Sequence, residues 1–242
     1  MKLCVIPARG GSKRIPRKNI KHFLGKPIIA YSIQAALDSG CFDKVIVSTD
    51  DEEIASIARQ YGAETPFIRP EELSNDYAGT LPVVKHAIEW FDNHATRPVS
   101  VCCLYATAPF VQASLLKQSY QQWQASQADY CFSVTGFASP IQRAFKIIDL
   151  PIGAGEQSTE RLEMFNPELF SVRSQDLVEA FHDAGQFYWG RPEAFTSLKP
   201  LFSEFSHPFV LPHYLVQDID TLEDWHRAEL MYQVLQKNGD IL

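Results

Sequence analysis

The sequence predicts an α/β fold built on a mainly parallel sheet, and three observations carry that expectation. Short apolar runs of strand length alternate with stretches whose apolar residues recur at helical period. Glycines and capping residues punctuate the ends of those stretches. The first strand runs into a basic, glycine-containing loop that opens a helix, the usual start of a strand–helix–strand unit.

Taken in order, Leu3 to Ile6 reads as a buried strand. Pro27 opens a helix with Ile29, Ile33, Ala36 and Leu37 on one face and Gly40 just past its end. Lys44 to Ser48 ("KVIVS") is a second strand. The acids of "TDDEE" cap a helix whose stripe is Ile54, Ile57, Ala58 and Tyr61, closed by Gly62. Thr80 begins a helix with Leu81, Val84, Ile88 and Phe91 on one side. Val99 to Tyr105 is a strand, "SLLKQSYQQWQAS" a helix, and Tyr130 to Thr135 another strand. Periodicity fades from Gly136 to about Gly185, as expected of an inserted arm or cap, and the sheet resumes near "GQFYWG". The last helix starts at Thr221, where "TLED" reads as a capping box with Asp for Glu, and its face is Leu222, Trp225, Ala228, Tyr232 and Leu235.

Composition narrows the function. The 242 residues, 45% hydrophobic and 21% charged, suit one large domain. The apolar runs fall short of the roughly 20 residues of a membrane helix, and "MKLCVIPARG" lacks a secretory signal, so a cytoplasmic protein is expected. The five cysteines show no metal spacing and read as core residues. A net charge of −7 argues against a broad nucleic-acid surface. Against that background Arg9, Lys13, Arg14, Arg17, Lys18, Lys21 and Lys26 gather with no acid among them, which points to a small anionic ligand. Gly10 and Gly11 let backbone approach a phosphate, with N–H groups forming an anion-binding concavity. The stretch is neither a P-loop nor G-x-G-x-x-G.

Two further features carry chemistry. Asp218 and Asp220 in "VQDIDT" lie two apart in an extended segment, so both carboxylates point one way and suit Mg²⁺. Thr80 is either a plain helix cap, worth about 1 kcal/mol, or a ligand contact at a helix N-terminus, and both can hold. No G-x-S-x-G elbow supports a serine hydrolase. Of the histidines, only His182 stands near motif residues.

The string "IPARGGSKRIPRKNI" resembles the signature of the cytidylyltransferases that activate nine-carbon 2-keto sugar acids, the CMP-sialic acid synthetase family. The likeness extends over nearly the whole chain through "STDDEEIASIARQYGAETPFIRP", "DYAGT", "YATAP", "DAGQFYWG" and "QDIDTLEDW". "SPIQRAF", "SQDLVEAFHDAGQFYWG" and "VQDIDT" resemble the branch that handles pseudaminic acid. The resemblance implies a three-layer αβα Rossmann-like nucleotidyltransferase fold, of the nucleotide-diphospho-sugar transferase type, in a single domain 1–242. A small arm at 140–180 would join a homodimer. It further implies transfer of CMP from CTP to a nonulosonic acid with Mg²⁺, without nucleic acid or membrane.

By the same resemblance the nucleotide lies on Ala8, Arg9, Gly10, Gly11, Ser12, Lys18, Asn19, Arg69, Gly79 and Thr80. Arg9, Lys18, Asn19 and Asp218 would carry catalysis, Asp218 and Asp220 the metal, and Tyr105, Arg143, Gln186 and Tyr188 the sugar. Tyr105 stands where sialic-acid activators carry Gln in a motif resembling "LQPTSP", which suits a sugar with fewer hydroxyls. Met164, Phe165, Phe187, Tyr188 and Trp189 are pocket or core candidates. Arg143, Lys146 and Arg173 are candidates for the sugar carboxylate. The base stays open between a metal-bound hydroxide and an aspartate at the metal. Alternative readings are activation of N-acetylneuraminic or legionaminic acid, a non-catalytic nucleotide-binding protein, and a D-x-D glycosyltransferase, which the opening basic loop disfavours.

Overall fold

A computed structural model describes residues 1–151 and 158–241. In chain order the elements are β1 (Lys2–Pro7), the short pair β2 (His22–Phe23) and β3 (Lys26–Pro27), α1 (Ile28–Ser39), β4 (Lys44–Ser48) and α2 (Glu52–Gln60). They continue with α3 (Thr80–His94), β5 (Ser100–Leu104), α4 (Ala113–Ser126), β6 (Tyr130–Gly136), β7 (Phe145–Pro151) and β8 (Ser158–Met164). Then come β9 (Phe181–Gly190), α5 (Pro192–Thr196), β10 (Ser206–Val210) and α6 (Leu222–Asn238). The chain forms two compact units: Met1–Val134 with Asp183–Leu242, and Thr135–His182.

The first unit holds a six-stranded sheet in the order β10-β6-β9-β5-β1-β4. β1 pairs in parallel with both β4 and β5, and β10 in parallel with β6. β9 is antiparallel to β5, a departure from a parallel sheet that the pattern "GQFYWG" did not disclose.

Both faces of the sheet are covered, and the sequence shows why. Along β1, Cys4 and Ile6 join one core with Ile29 and Ile33 of α1 and Ile54 of α2, while Leu3 and Val5 join the other with Val84 and Ile88 of α3. β5 alternates the same way, Cys102 and Leu104 against Val101 and Cys103. A strand buried on both faces reads as a continuous apolar run, which is how these strands announced themselves. All five cysteines are free and buried.

The predicted ends hold with small shifts. α1 stops at Gly40, whose φ of 62° favours glycine. Asp51 caps α2 by accepting from the Ile54 N–H. The box at Thr221 forms as read, Asp224 and Thr221 each accepting the other's backbone N–H. Leu37 and Leu222, placed on buried faces by period, are 40% and 62% exposed, because each lies at the edge of its helix's apolar stripe.

A third cluster decides where the site lies. Phe23, Tyr31, Trp225 and Tyr232 meet edge to face, with Phe23 and Trp225 centroids 5.6 Å apart. Ile15 of the basic loop and Ile219 of "QDIDT" belong to the same cluster. Two segments 200 residues apart are thereby fastened side by side.

The second unit is a small insertion closed at its base by the Phe137 N–H donating to the Ala180 carbonyl. Its ribbon β7–β8 pairs Phe145 with Met164 and Ile147 with Leu162 on one face. The opposite face carries the ion pair Lys146–Glu163 at 2.7 Å. Among the described residues no helix is long and apolar enough to cross a membrane.

Candidate nucleotide site at the end of the first strand

β1 lies between β4, to which the chain runs through α1, and β5, which it reaches later. Such a switch in strand order opens a crevice at the carboxyl ends of the strands. A cavity of about 270 Å³ occupies that place. Its wall is polar and cationic, and includes Arg9, Lys13, Arg14, Lys18 and Arg69.

Four of the seven basic residues predicted as an anion site line this cavity, and three do not. Arg17 sits at φ 57° and turns its guanidinium onto Asp51 at 2.5 and 3.0 Å and onto Glu53. This bond holds the Asp51 carboxyl below the usual aspartate range. Lys21 and Lys26 lie over the rings of Trp225 and Tyr31. These three serve packing rather than the ligand.

The acids missing from positions 9–26 arrive from elsewhere. Asp76 bridges Arg9, at 2.8 Å, and Lys13. Asp220 bridges Arg14 at 2.8 Å and Lys18 at 3.3 Å, and the Lys18 ammonium also donates to the Ile219 carbonyl at 2.5 Å. Two carboxylates thus hold four cations spread around one crevice. Sequence reasoning did not single out Asp76, although it stands in the quoted "DYAGT".

Arg69 differs from all of these. It is 4% exposed, and its Nε and Nη2 make no hydrogen bond in the structure. The nearest carboxylate, Asp50, is 3.7 Å from Nη2. Burial pulls the guanidinium below its ordinary pKa range, with Asp50 opposing. A buried donor without a partner is costly, and the residue that carries it is part of the cavity wall.

Other predicted residues take more specific places. Gly10 and Gly11 part company: a Cβ at Gly10 would stand 2.8 Å from Asp51 Oδ2, whereas one at Gly11 would meet nothing within 4 Å. The Gly10 N–H donates to Asp50 Oδ1 at 3.0 Å, so Gly10 is demanded by the neighbouring strand end. Ser12 lines the cavity, and Ala8 is buried at the end of β1. Asn19 lines it too, its Nδ2 donating to the Arg9 carbonyl at 2.9 Å and bracing the loop.

The cap reading of Thr80 fails. Gly79 is the N-cap of α3, no side chain caps it, and the Thr80 hydroxyl instead meets the Tyr105 hydroxyl at 2.9 Å. Gly79, Thr80 and Tyr105 all line the cavity.

Asp218 is exposed, and partial desolvation together with the Asp220 charge pushes its carboxyl above the ordinary range. That mutual repulsion is what a cation would relieve, so the pair fits a hard ion sharing its shell with phosphates. Asp220 lines the cavity. Among the described residues no group of three or more His, Cys, Asp or Glu is placed to hold a metal ion, so the site rests on this pair of carboxylates.

Gln186 and Tyr188 do not line the cavity. Gln186 is buried, its Nε2 donating to the Leu215 carbonyl at 2.6 Å. Tyr188, Phe187 and Trp189 are core residues, at 2% exposure or less. Arg143, Lys146 and Arg173 belong to the second unit and have partners there: the Val172 carbonyl, Glu163 and Asp176. Met164 and Phe165 lie in that unit too. Within it His182 packs edge to face on Phe137.

A switch-point crevice lined by lysines and arginines defines a binder of phosphorylated ligands on an α/β sheet. Residues 3–217 match the cytidylyltransferase family model, and the chain belongs to that family. The pseudaminic acid cytidylyltransferase of Campylobacter jejuni subsp. jejuni serotype O:2 is 48% identical over 232 residues, 96% of each chain. The CMP-N,N'-diacetyllegionaminic acid synthase of Legionella pneumophila subsp. pneumophila is 31% identical over 97% of each. The fold is similar to that of a CMP:2-keto-3-deoxy-manno-octonic acid synthetase solved with CTP, at TM-score 0.68 and 17% identity, covering 97% of this chain and 99% of that one.

Proposed function

We propose that the protein activates pseudaminic acid, converting CTP and the free sugar acid to CMP-pseudaminic acid and diphosphate. Near-full-length likeness to an enzyme of that name supports the substrate. The observation that carries the site is Arg69, buried in the cavity wall with two guanidinium nitrogens awaiting partners.

The sugar's anomeric 2-hydroxyl attacks the α-phosphorus of CTP. The new P–O bond forms as the bond to the bridging oxygen of the β-phosphate breaks, diphosphate leaves, and the hydroxyl proton is given up to water. Arg9, Lys13, Arg14 and Lys18 offset the phosphate charge, exchanging Asp76 and Asp220 for phosphate oxygens. Asn19 keeps Arg9 in place through its carbonyl. Mg²⁺, held by Asp218 and Asp220, would add charge neutralisation at the same phosphates. Arg69 and Thr80 bound the nucleoside, and the Tyr105 ring bounds the sugar.

The β7–β8 ribbon is the arm we assign to a homodimer. Ile147 and Leu162 are 67% and 69% exposed on one face, and a two-stranded ribbon gains stability when such a face is covered. A cytoplasmic site of action accords with five free cysteines.

The test is diphosphate release by the purified protein with CTP and Mg²⁺, offering pseudaminic, legionaminic and N-acetylneuraminic acids separately. Release with pseudaminic acid alone is expected. Preference for another acid would keep the chemistry and overturn the substrate, and CTP binding without release would favour a non-catalytic nucleotide binder.

A further inference from the structure

Two carboxylates hold the cations of the cavity, and they differ in what else they do. Asp220, which bridges Arg14 and Lys18, is also one of the two acids suited to the metal. Asp76 has no second task. Among the described residues its side-chain oxygens meet only Arg9 Nη1, at 2.8 Å, and Lys13 Nζ. Arg9 and Lys13 line the cavity, whereas Asp76 stands outside its wall. Lys13, with Arg9 behind it, holds the Asp76 carboxyl below the usual aspartate range, so it is an anion at neutral pH.

The chain delivers this carboxylate on a short loop braced by other bonds. Arg69 and Thr80 both line the cavity, and residues 70–79 run from one to the other. Asn75 Oδ1 accepts the Tyr77 and Ala78 N–H groups at 2.9 and 3.0 Å, and Asn75 Nδ2 donates to the Glu72 carbonyl at 2.9 Å. These bonds set the turn around Asp76 and leave its own side chain free for the two cations. A carboxylate that spans two cations with its two oxygens imitates a phosphate, which binds such groups in the same way. Tethered this close to the cavity wall, it meets Arg9 and Lys13 at a high effective concentration.

We propose that Asp76 is a built-in competitor of the triphosphate for Arg9 and Lys13, and so sets the anionic charge a ligand must carry to hold the site. A triphosphate or a diphosphate brings several charges to both cations and displaces the single carboxylate. The one phosphodiester charge of a CMP-sugar does so less well. Asp76 therefore lowers affinity, and it acts through Arg9 and Lys13 without touching a ligand itself. The inference rests on the reading that the triphosphate lies among these cations.

The experiment titrates CTP, and separately inorganic diphosphate, into the wild-type protein, Asp76→Asn, Asp76→Glu and Arg9→Ala, by calorimetry at roughly 0.1 M and 1 M salt. Exposed ion pairs are individually weak, and the two together should lower apparent affinity about fivefold. Asp76→Asn should therefore bind both ligands about fivefold more tightly at low salt, and the gain should shrink at high salt. Asp76→Glu restores the carboxylate and should return affinity to the wild-type value, a rescue that a role in loop packing would not single out. In turnover Asp76→Asn should lower the KM for CTP and make diphosphate a stronger product inhibitor, with kcat no higher than in the wild type. Equal or weaker CTP binding by Asp76→Asn, with binding weakened in Arg9→Ala, would overturn the inference and leave the triphosphate among the cations. Unchanged CTP binding by Arg9→Ala would overturn that placement as well.

Discussion

The two units of this chain handle their apolar residues in opposite ways. In the sheet-bearing unit, strands such as β1 and β5 bury both faces, and the polar chemistry is pushed to their carboxyl ends. In the unit 135–182, the ribbon β7–β8 leaves Phe145, Ile147 and Leu162 exposed on one face. The first pattern makes a rigid frame that holds cations at set positions. The second makes a surface suited to another protein surface. The contrast teaches that the same apolar content becomes core in one unit and exposed surface in the other, by whether both faces of a strand are covered.

The largest expected effect tests the frame. Trp225→Ala removes the ring that fastens α6 and Ile219 to the basic loop. It should cost about 3–5 kcal/mol of stability, seen in denaturant melts, and raise the KM for CTP as Asp220 loses its place. Next comes the site itself. Arg69→Ala should lower kcat/KM for CTP about 100-fold, about 3 kcal/mol, with a smaller loss of stability because Nε and Nη2 make no hydrogen bond and only Asp50, 3.7 Å away, loses a partner.

The open face should respond differently. Ile147→Glu with Leu162→Glu places charge in the ribbon's apolar face and should shift the mass measured by light scattering towards the monomer. The thermal melt of the sheet-bearing unit should stay where it is. A monomeric wild-type protein would remove the ribbon from the account of assembly.

The smallest effect concerns the Arg17–Asp51 pair. Asp51 titrates below its ordinary range in the folded state, so the pair contributes above the unfolded carboxyl's pKa and is lost as pH falls through the folded one. Asp51→Asn should therefore be about 0.5–1 kcal/mol less stable at neutral pH, with the difference vanishing in acid. A constant difference across pH would show that the cap, not the charge, matters there.

How much of this was legible follows from the same contrast. β1, β4, β5 and the helices α1, α2, α3, α4 and α6 stood out because two-sided burial writes long apolar runs and regular stripes, whereas the short α5 did not. The box at Thr221 was legible because its four residues are local. β10 escaped because it is an edge strand that tolerates Pro208 in its ladder. The ribbon escaped because apolar and charged residues are mixed on both of its faces, leaving isolated aromatics such as Phe145. Within the site, the cation cluster was visible, but the partners that sort it were not. Spacing alone does not tell that Arg17 turns to Asp51, that Asp76 spans Arg9 and Lys13, or that Thr80 bonds Tyr105 instead of capping α3.

The most direct test of the central claim is a crystal structure of the protein with CTP and Mg²⁺. The account predicts the triphosphate among Arg9, Lys13, Arg14 and Lys18, Asp76 released from Arg9, and the base against Arg69. A nucleotide bound elsewhere, or one that leaves the Arg9–Asp76 bridge intact, would contradict it.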